Sequence, residues 1–108
     1  MTLFVYGTLR DAALVRRLTG RTFHMEDAVL HGYRRFEPPG SYPYITADDA
    51  GEVAGCVLRG VDAASVGALD AYEDEGVLYR RVEVWVMVAG QGEPADTYVG
   101  LPKIMSPR

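Results

Sequence analysis

Asp62-Ala63-Ala64-Ser65-Val66-Gly67-Ala68-Leu69-Asp70-Ala71-Tyr72-Glu73, then Asp74-Glu75-Gly76, then the valine-rich run from Leu78 to Val88, is the stretch that decides the fold class. Asp62 caps a helix that reaches about Tyr72 or Glu73. The run from Leu78 to Val88, which carries Trp85, is the strongest strand signal in the chain. Upstream, Val53 to Arg59 alternates in strand fashion and reads as the hairpin partner of a short strand at Tyr44-Ile45-Thr46. The reversal between them is expected at Asp48-Asp49-Ala50-Gly51. The helix therefore lies between strand pairs rather than in strict βαβ alternation, which predicts an α+β fold with a mixed sheet.

Working outward adds the remaining elements. Thr2 to Tyr6 reads as a strand ending at Gly7. Asp11 caps a helix from Ala12 to about Leu18, with Leu14 and Leu18 on one face and Gly20 past its end. Ala28 to Arg35 is a strand, and Pro38-Pro39-Gly40-Ser41 is a loop. Gly90 to Pro94 turns the chain into a final strand near Asp96 to Val99, and the tail from Gly100, with Pro102 and Pro107, is expected to be irregular. The expectation is about six strands and two helices, with a sheet that curls into a small barrel.

The totals narrow the function classes. A chain of 108 residues has room for one domain, taken as 1–108, and enough length to bury a core without a staple. The formal net charge of −4 argues against a nucleic-acid partner, whose affinity rests on clustered Lys and Arg. The pairs Arg16-Arg17, Arg34-Arg35 and Arg80-Arg81 are scattered and interrupted by acids, and read as solvated faces or local ion pairs. No apolar run is long enough to span a bilayer, and Met1 leads directly into a strand rather than a signal peptide. The single Cys56 has no disulfide partner. A cytoplasmic location is expected, with no membrane partner.

Three features can carry chemistry. Tyr6-Gly7-Thr8-Leu9 stands between a strand and a helix. It is either an ordinary turn or a cradle of unpaired N–H groups suited to a carboxylate or an oxyanion. Glu73 shares a narrow helical sector with Val66 and Leu69, which points its carboxylate inward if the helix holds. If the helix frays, Glu73 sits in water beside Asp74 and Glu75. In Tyr79-Arg80-Arg81, strand alternation sends either Tyr79 or Arg80 to the interior. His24 and His31 lack the spacing of a metal site, Ser41 and Ser65 lack the setting of a nucleophile elbow, and Cys56 reads as core.

Leu3-Phe4-Val5-Tyr6-Gly7-Thr8-Leu9 resembles the opening signature of the γ-glutamylcyclotransferase-like family, which includes γ-glutamylamine cyclotransferases and the plant avirulence-induced-like group. The resemblance continues through Leu30-His31-Gly32-Tyr33, Tyr42-Pro43, Val53-Ala54-Gly55-Cys56-Val57, Leu69-Asp70-Ala71-Tyr72-Glu73 and Tyr79-Arg80-Arg81-Val82-Glu83-Val84. It covers residue 3 to about residue 99. It implies a small mixed β-barrel flanked by helices, Glu73 as the catalytic acid/base, and a pocket for a γ-glutamyl group. Substrate contacts would come from Tyr6, Gly7, Thr8, Leu9 and Tyr79. The sequence departs from the commonest pattern after Glu73, where Asp74-Glu75 intervene before Gly76.

The expected reaction is release of 5-oxoproline and a free amine or amino acid from a γ-glutamyl amide, with no metal or organic cofactor. The alternative is a non-catalytic module binding a small carboxylated ligand on the same fold. A monomer or weak homodimer is expected.

Overall fold

Both long helices begin on an aspartate. In the computed structural model, which describes residues 1–105, α1 spans Ala12–Thr19 and α2 spans Ala63–Glu73. Asp11 accepts hydrogen bonds from the amides of Ala13 (2.9 Å) and Leu14 (3.4 Å), satisfying donors that a helix start leaves unpaired. Gly20, at φ 75°, closes α1 in the left-handed conformation. Asp62 accepts from the Ser65 amide at 3.2 Å and from the Ser65 hydroxyl at 2.6 Å. Ser65 is thereby a buried brace of the cap.

The strands are β1 (Leu3–Val5), β2 (Met25–Phe36), β3 (Tyr44–Leu58), β4 (Tyr79–Val88) and β5 (Gln91–Gly100). They close into a barrel in the order β1-β3-β2-β4-β5. Every pairing is antiparallel except β1 with β5, so the sheet is mixed. The α+β barrel flanked by helices stands as expected from the sequence.

Five strands replace the six read from sequence, because Tyr44–Thr46 and Val53–Arg59 belong to one strand. Both halves of β3 pair with β2: His31 faces Glu52, and Tyr33 faces Ala47. Gly32 alone therefore opposes the four residues from Asp48 to Gly51, a wide bulge rather than a reversal. Asp48 accepts from the Ala50 amide at 3.0 Å, so the local turn chemistry is real but is spent inside the strand.

Two further boundaries move. β4 and β5 are joined by a two-residue turn at Ala89 (φ 51°) and Gly90 (φ 81°), with Val88 paired to Gln91. Two successive positive φ values mark the turn type that matches strand twist, so β5 begins at Gln91 rather than near Asp96. Pro94 sits within it, opposite Trp85. The tail expected to be irregular holds a short helix, α3 (Pro102–Met105). The part of that expectation that concerns Pro107 lies outside the described residues.

The core has two layers. Phe4, Leu30, Ile45, Val57 and Val86 fill the barrel interior. Leu3, Val5, Val15, Leu58 and Leu69 pack between barrel and helices. β1 supplies both layers by alternation, which explains its uninterrupted apolar sequence. It approaches β3 so closely that a β-carbon on Gly55 would strike the Val5 carbonyl oxygen and lie 2.8 Å from the Phe4 ring.

Candidate active site

At the β1–β5 seam the parallel ladder is short. Leu3 pairs with Asp96, the Asp96 amide donates to Thr2 O at 3.0 Å, and side chains take over beyond that point. The Thr97 hydroxyl donates to Phe4 O at 2.9 Å. The Tyr6 hydroxyl donates to Tyr98 O at 2.6 Å. Phe4, Val5, Tyr6 and Tyr98 line a cavity of about 220 Å³ beside this seam, with the end of α2 forming another wall. The volume falls below the range of about 300–1,000 Å³ typical of drug-sized ligands, which suits a single amino-acid-like group.

The structure brings all six sequence-derived site residues, Tyr6, Gly7, Thr8, Leu9, Glu73 and Tyr79, to this cavity. Of the two orientations left open for β4, Tyr79 is the buried one and Arg80 faces solvent. The Tyr79 hydroxyl donates to Pro43 O at 2.6 Å.

The loop after β1 differs from its sequence reading in two respects. Gly7 has φ −123°, so no positive φ is used. Its lack of a side chain matters instead for proximity, since a β-carbon would lie 3.3 Å from the Pro43 ring on the cavity wall. The loop enters a single 3-10 turn, Thr8–Arg10, rather than α1 directly, and α1 keeps its own cap in Asp11. The turn's first bond runs from the Arg10 amide to Gly7 O at 3.1 Å. The amides of Gly7, Thr8 and Leu9 precede it and have no partner within the turn. Leu9 itself is buried in the core.

Helix α2 does not fray before Glu73. The Asp74 amide donates to Ala71 O (3.2 Å) and the Glu75 amide to Asp70 O (3.0 Å), a paired closure of the last turn. Asp74 takes the left-handed conformation (φ 56°, ψ 51°), a position where glycine is usual and aspartate is tolerated. The two inserted acids are absorbed locally. Asp74 ends the helix, and Glu75 accepts the Arg81 amide at 3.2 Å.

Glu73 is consequently held half-buried, facing the cavity. Nearby hydroxyls are committed elsewhere: Tyr6 to Tyr98 O, Tyr79 to Pro43 O, and Tyr98 to Asp70 Oδ1 at 2.6 Å. Among the described residues none donates to the Glu73 carboxylate. Burial without a partner disfavours the charged form, and its pKa rises from 4.5 to about 7. Tyr6, Tyr79 and Tyr98 are pushed up as well, by burial first; for all three, the Glu73 charge adds to the rise. These tyrosines remain protonated donors.

Glu73 therefore couples stability to pH. Its pKa is higher folded than unfolded, so the stability it permits is full below about pH 4.5 and declines as pH rises toward and through 7. Melting temperatures of the wild type and Glu73→Gln should coincide near pH 4, with the variant higher above about pH 6. A difference that stays constant with pH would contradict this burial.

Sequence reading missed Tyr42, Tyr72 and Tyr98 as lining residues, together with the brace behind them. Arg81 binds both oxygens of Asp70 (3.0 and 3.2 Å) and reaches Asp96 at 2.7 Å. It thus ties the last turn of α2 to β4 and β5. The signal available was Asp70 one helical turn before Glu73. Nothing local told that Arg81 would meet it.

Against known proteins, the sequence matches the γ-glutamyl cyclotransferase, AIG2-like family over residues 3–106. The chain belongs to that family. Similar sequences include protein AIG2 C of Arabidopsis thaliana, 38% identical over 104 residues, covering 94% of this chain and 62% of that protein. AIG2-like protein C of the same plant is 40% identical over 100 residues, covering 90% and 57%. The chain thus spans about three-fifths of the length of these relatives, whose names state no reaction. A solution structure of an Arabidopsis thaliana protein superposes with a TM-score of 0.84 at 33% identity, covering 94% of this chain and 69% of that one. A structure titled gamma-glutamyl cyclotransferase superposes at 0.76 with 16% identity, covering 94% and 66%, and supports the shared fold.

Proposed function

We propose that the protein is a γ-glutamyl cyclotransferase releasing 5-oxoproline and a free amine from a γ-glutamyl amide, with Glu73 as general acid/base. The observation that carries this reading is the partnerless, half-buried Glu73 facing the cavity beside the unpaired loop amides. A carboxyl poised close to neutrality suits proton transfer, which pure binding does not require.

In the proposed reaction the substrate's α-ammonium gives a proton to Glu73, and the freed amine attacks the γ-carbonyl carbon. The new C–N bond closes a five-membered ring, the tetrahedral intermediate expels the original amide nitrogen as Glu73 returns the proton to it, and the ring nitrogen's second proton passes to the released amine, which leaves as the ammonium. No water is consumed. Nucleophile and electrophile share one molecule, so holding the folded conformer supplies much of the gain. The amides of Gly7, Thr8 and Leu9 are assigned to the substrate's anionic oxygens, and Tyr6 and Tyr79 to the cavity walls around its chain.

The test is quantification of 5-oxoproline from a panel of γ-glutamyl amides. Product from the wild type supports the reading. Binding without product, seen as a raised melting temperature alone, would replace it with a ligand-binding module.

A further inference from the structure

Resting on that cyclotransferase reading, we infer that the cavity mouth selects γ-glutamyl amides of neutral apolar or aromatic amines, with Tyr42 and Tyr72 as specificity-determining residues. The exposed side chains on the lining are Thr8, Tyr42 and Tyr72, so they form its outer edge. Tyr42 is 65% exposed and Tyr72 42% exposed, large rings left in water on the same rim. Pro43 and Leu78 continue the apolar surface between the rim and the interior. Tyr72 is tied to the loop after β1 by a hydrogen bond between its hydroxyl and the Thr8 hydroxyl (3.1 Å). Paired rings of this kind offer a leaving group rigid contact area with few rotamers to immobilise.

Charge decides against the other leaving groups. Glu73 is the sole charged side chain lining the cavity among the described residues. A leaving amine carrying a carboxylate would enter beside Glu73 with no counter-charge, and two like charges in a water-poor site repel strongly. A cationic amine would instead pair with Glu73 and hold it ionised, which weakens it as the acceptor of the α-ammonium proton. Arg10 and Arg17 line a separate open groove that shares Gly7 and Thr8 with the cavity.

The experiment compares kcat/KM for γ-glutamyl methylamide, butylamide, benzylamide and γ-glutamylglycine in the wild type and in Tyr42→Ala and Tyr72→Ala. The wild type should favour benzylamide over methylamide by about tenfold or more, the scale of one or two aromatic contacts, and use the glycine compound least. Each alanine variant should cut the benzylamide-to-methylamide ratio several-fold, whatever its absolute rates. Equal use of methylamide and benzylamide, or unchanged ratios in both variants, overturns the inference. Preference for γ-glutamylglycine overturns it in favour of the arginine groove. If no compound yields 5-oxoproline, the cyclotransferase reading fails separately. The inference is then decided by calorimetric affinities for the same compounds: tighter binding of benzylamide, lost in the variants, upholds the mouth, and equal affinities overturn it.

Discussion

Glu73→Gln protein is expected to fold as the wild type does and to lose about 10²–10⁴-fold in 5-oxoproline release, the contribution typical of a positioned acid/base. Glutamine keeps the shape and size of the side chain at the end of α2. It cannot take the proton that the α-ammonium must shed. The Arg81–Asp70 brace and the Asp74–Glu75 closure are untouched by the change, so a fall in rate without a fall in melting temperature isolates the chemistry. The wild-type rate should rise with pH through an apparent pKa of about 7, since the ionised form is the base. Near-normal turnover in the variant sinks the assignment of Glu73.

The second large effect falls on the barrel. Gly55→Val places a branched side chain where the Val5 carbonyl and the Phe4 ring already stand. Neither can yield easily, because Phe4 is fully buried and β1 is paired on both edges. Overpacking against such a backbone costs on the order of 3 kcal/mol. For a domain of this size that lowers the melting temperature by roughly 12–24 °C. A loss of less than a few degrees would mean that β1 shifts freely, and that the cavity wall it supplies is soft.

Short-range signals in the sequence were sufficient for the helices. Asp11, Gly20 and Asp62 act on amides and φ angles within a few residues of themselves, and the structure has both long helices where those residues put them. The inward direction of Glu73 was legible for the same reason, as a matter of helical spacing from Val66 and Leu69. What escaped depends on partners distant in sequence. Asp48-Asp49-Ala50-Gly51 offers the same turn chemistry whether the chain reverses or bulges, and the pairing of both halves of β3 with β2 decides which. Tyr98 lines the cavity because β5 meets β1 in parallel, a pairing with no local signature. Tyr42 stands in the connection between β2 and β3, where no periodicity assigns a face.

The place of β1 in the barrel also bears on how the molecule forms. Its antiparallel partners are Cys56, Val57 and Leu58, and its parallel partner is Asp96. The pairings of β2 with β3 and of β4 with β5 are hairpins that assemble from nearby chain. Seating β1 instead closes a loop running through most of the polypeptide, and that entropy is lost before the contacts repay it. Topologies dominated by such distant pairings fold slowly for their size. Tyr6 follows β1 directly, and its hydroxyl bonds to Tyr98 O, so the cavity is complete only once β1 is seated. Until β1 is seated, Glu73 lacks the wall of its cavity that Phe4, Val5 and Tyr6 supply.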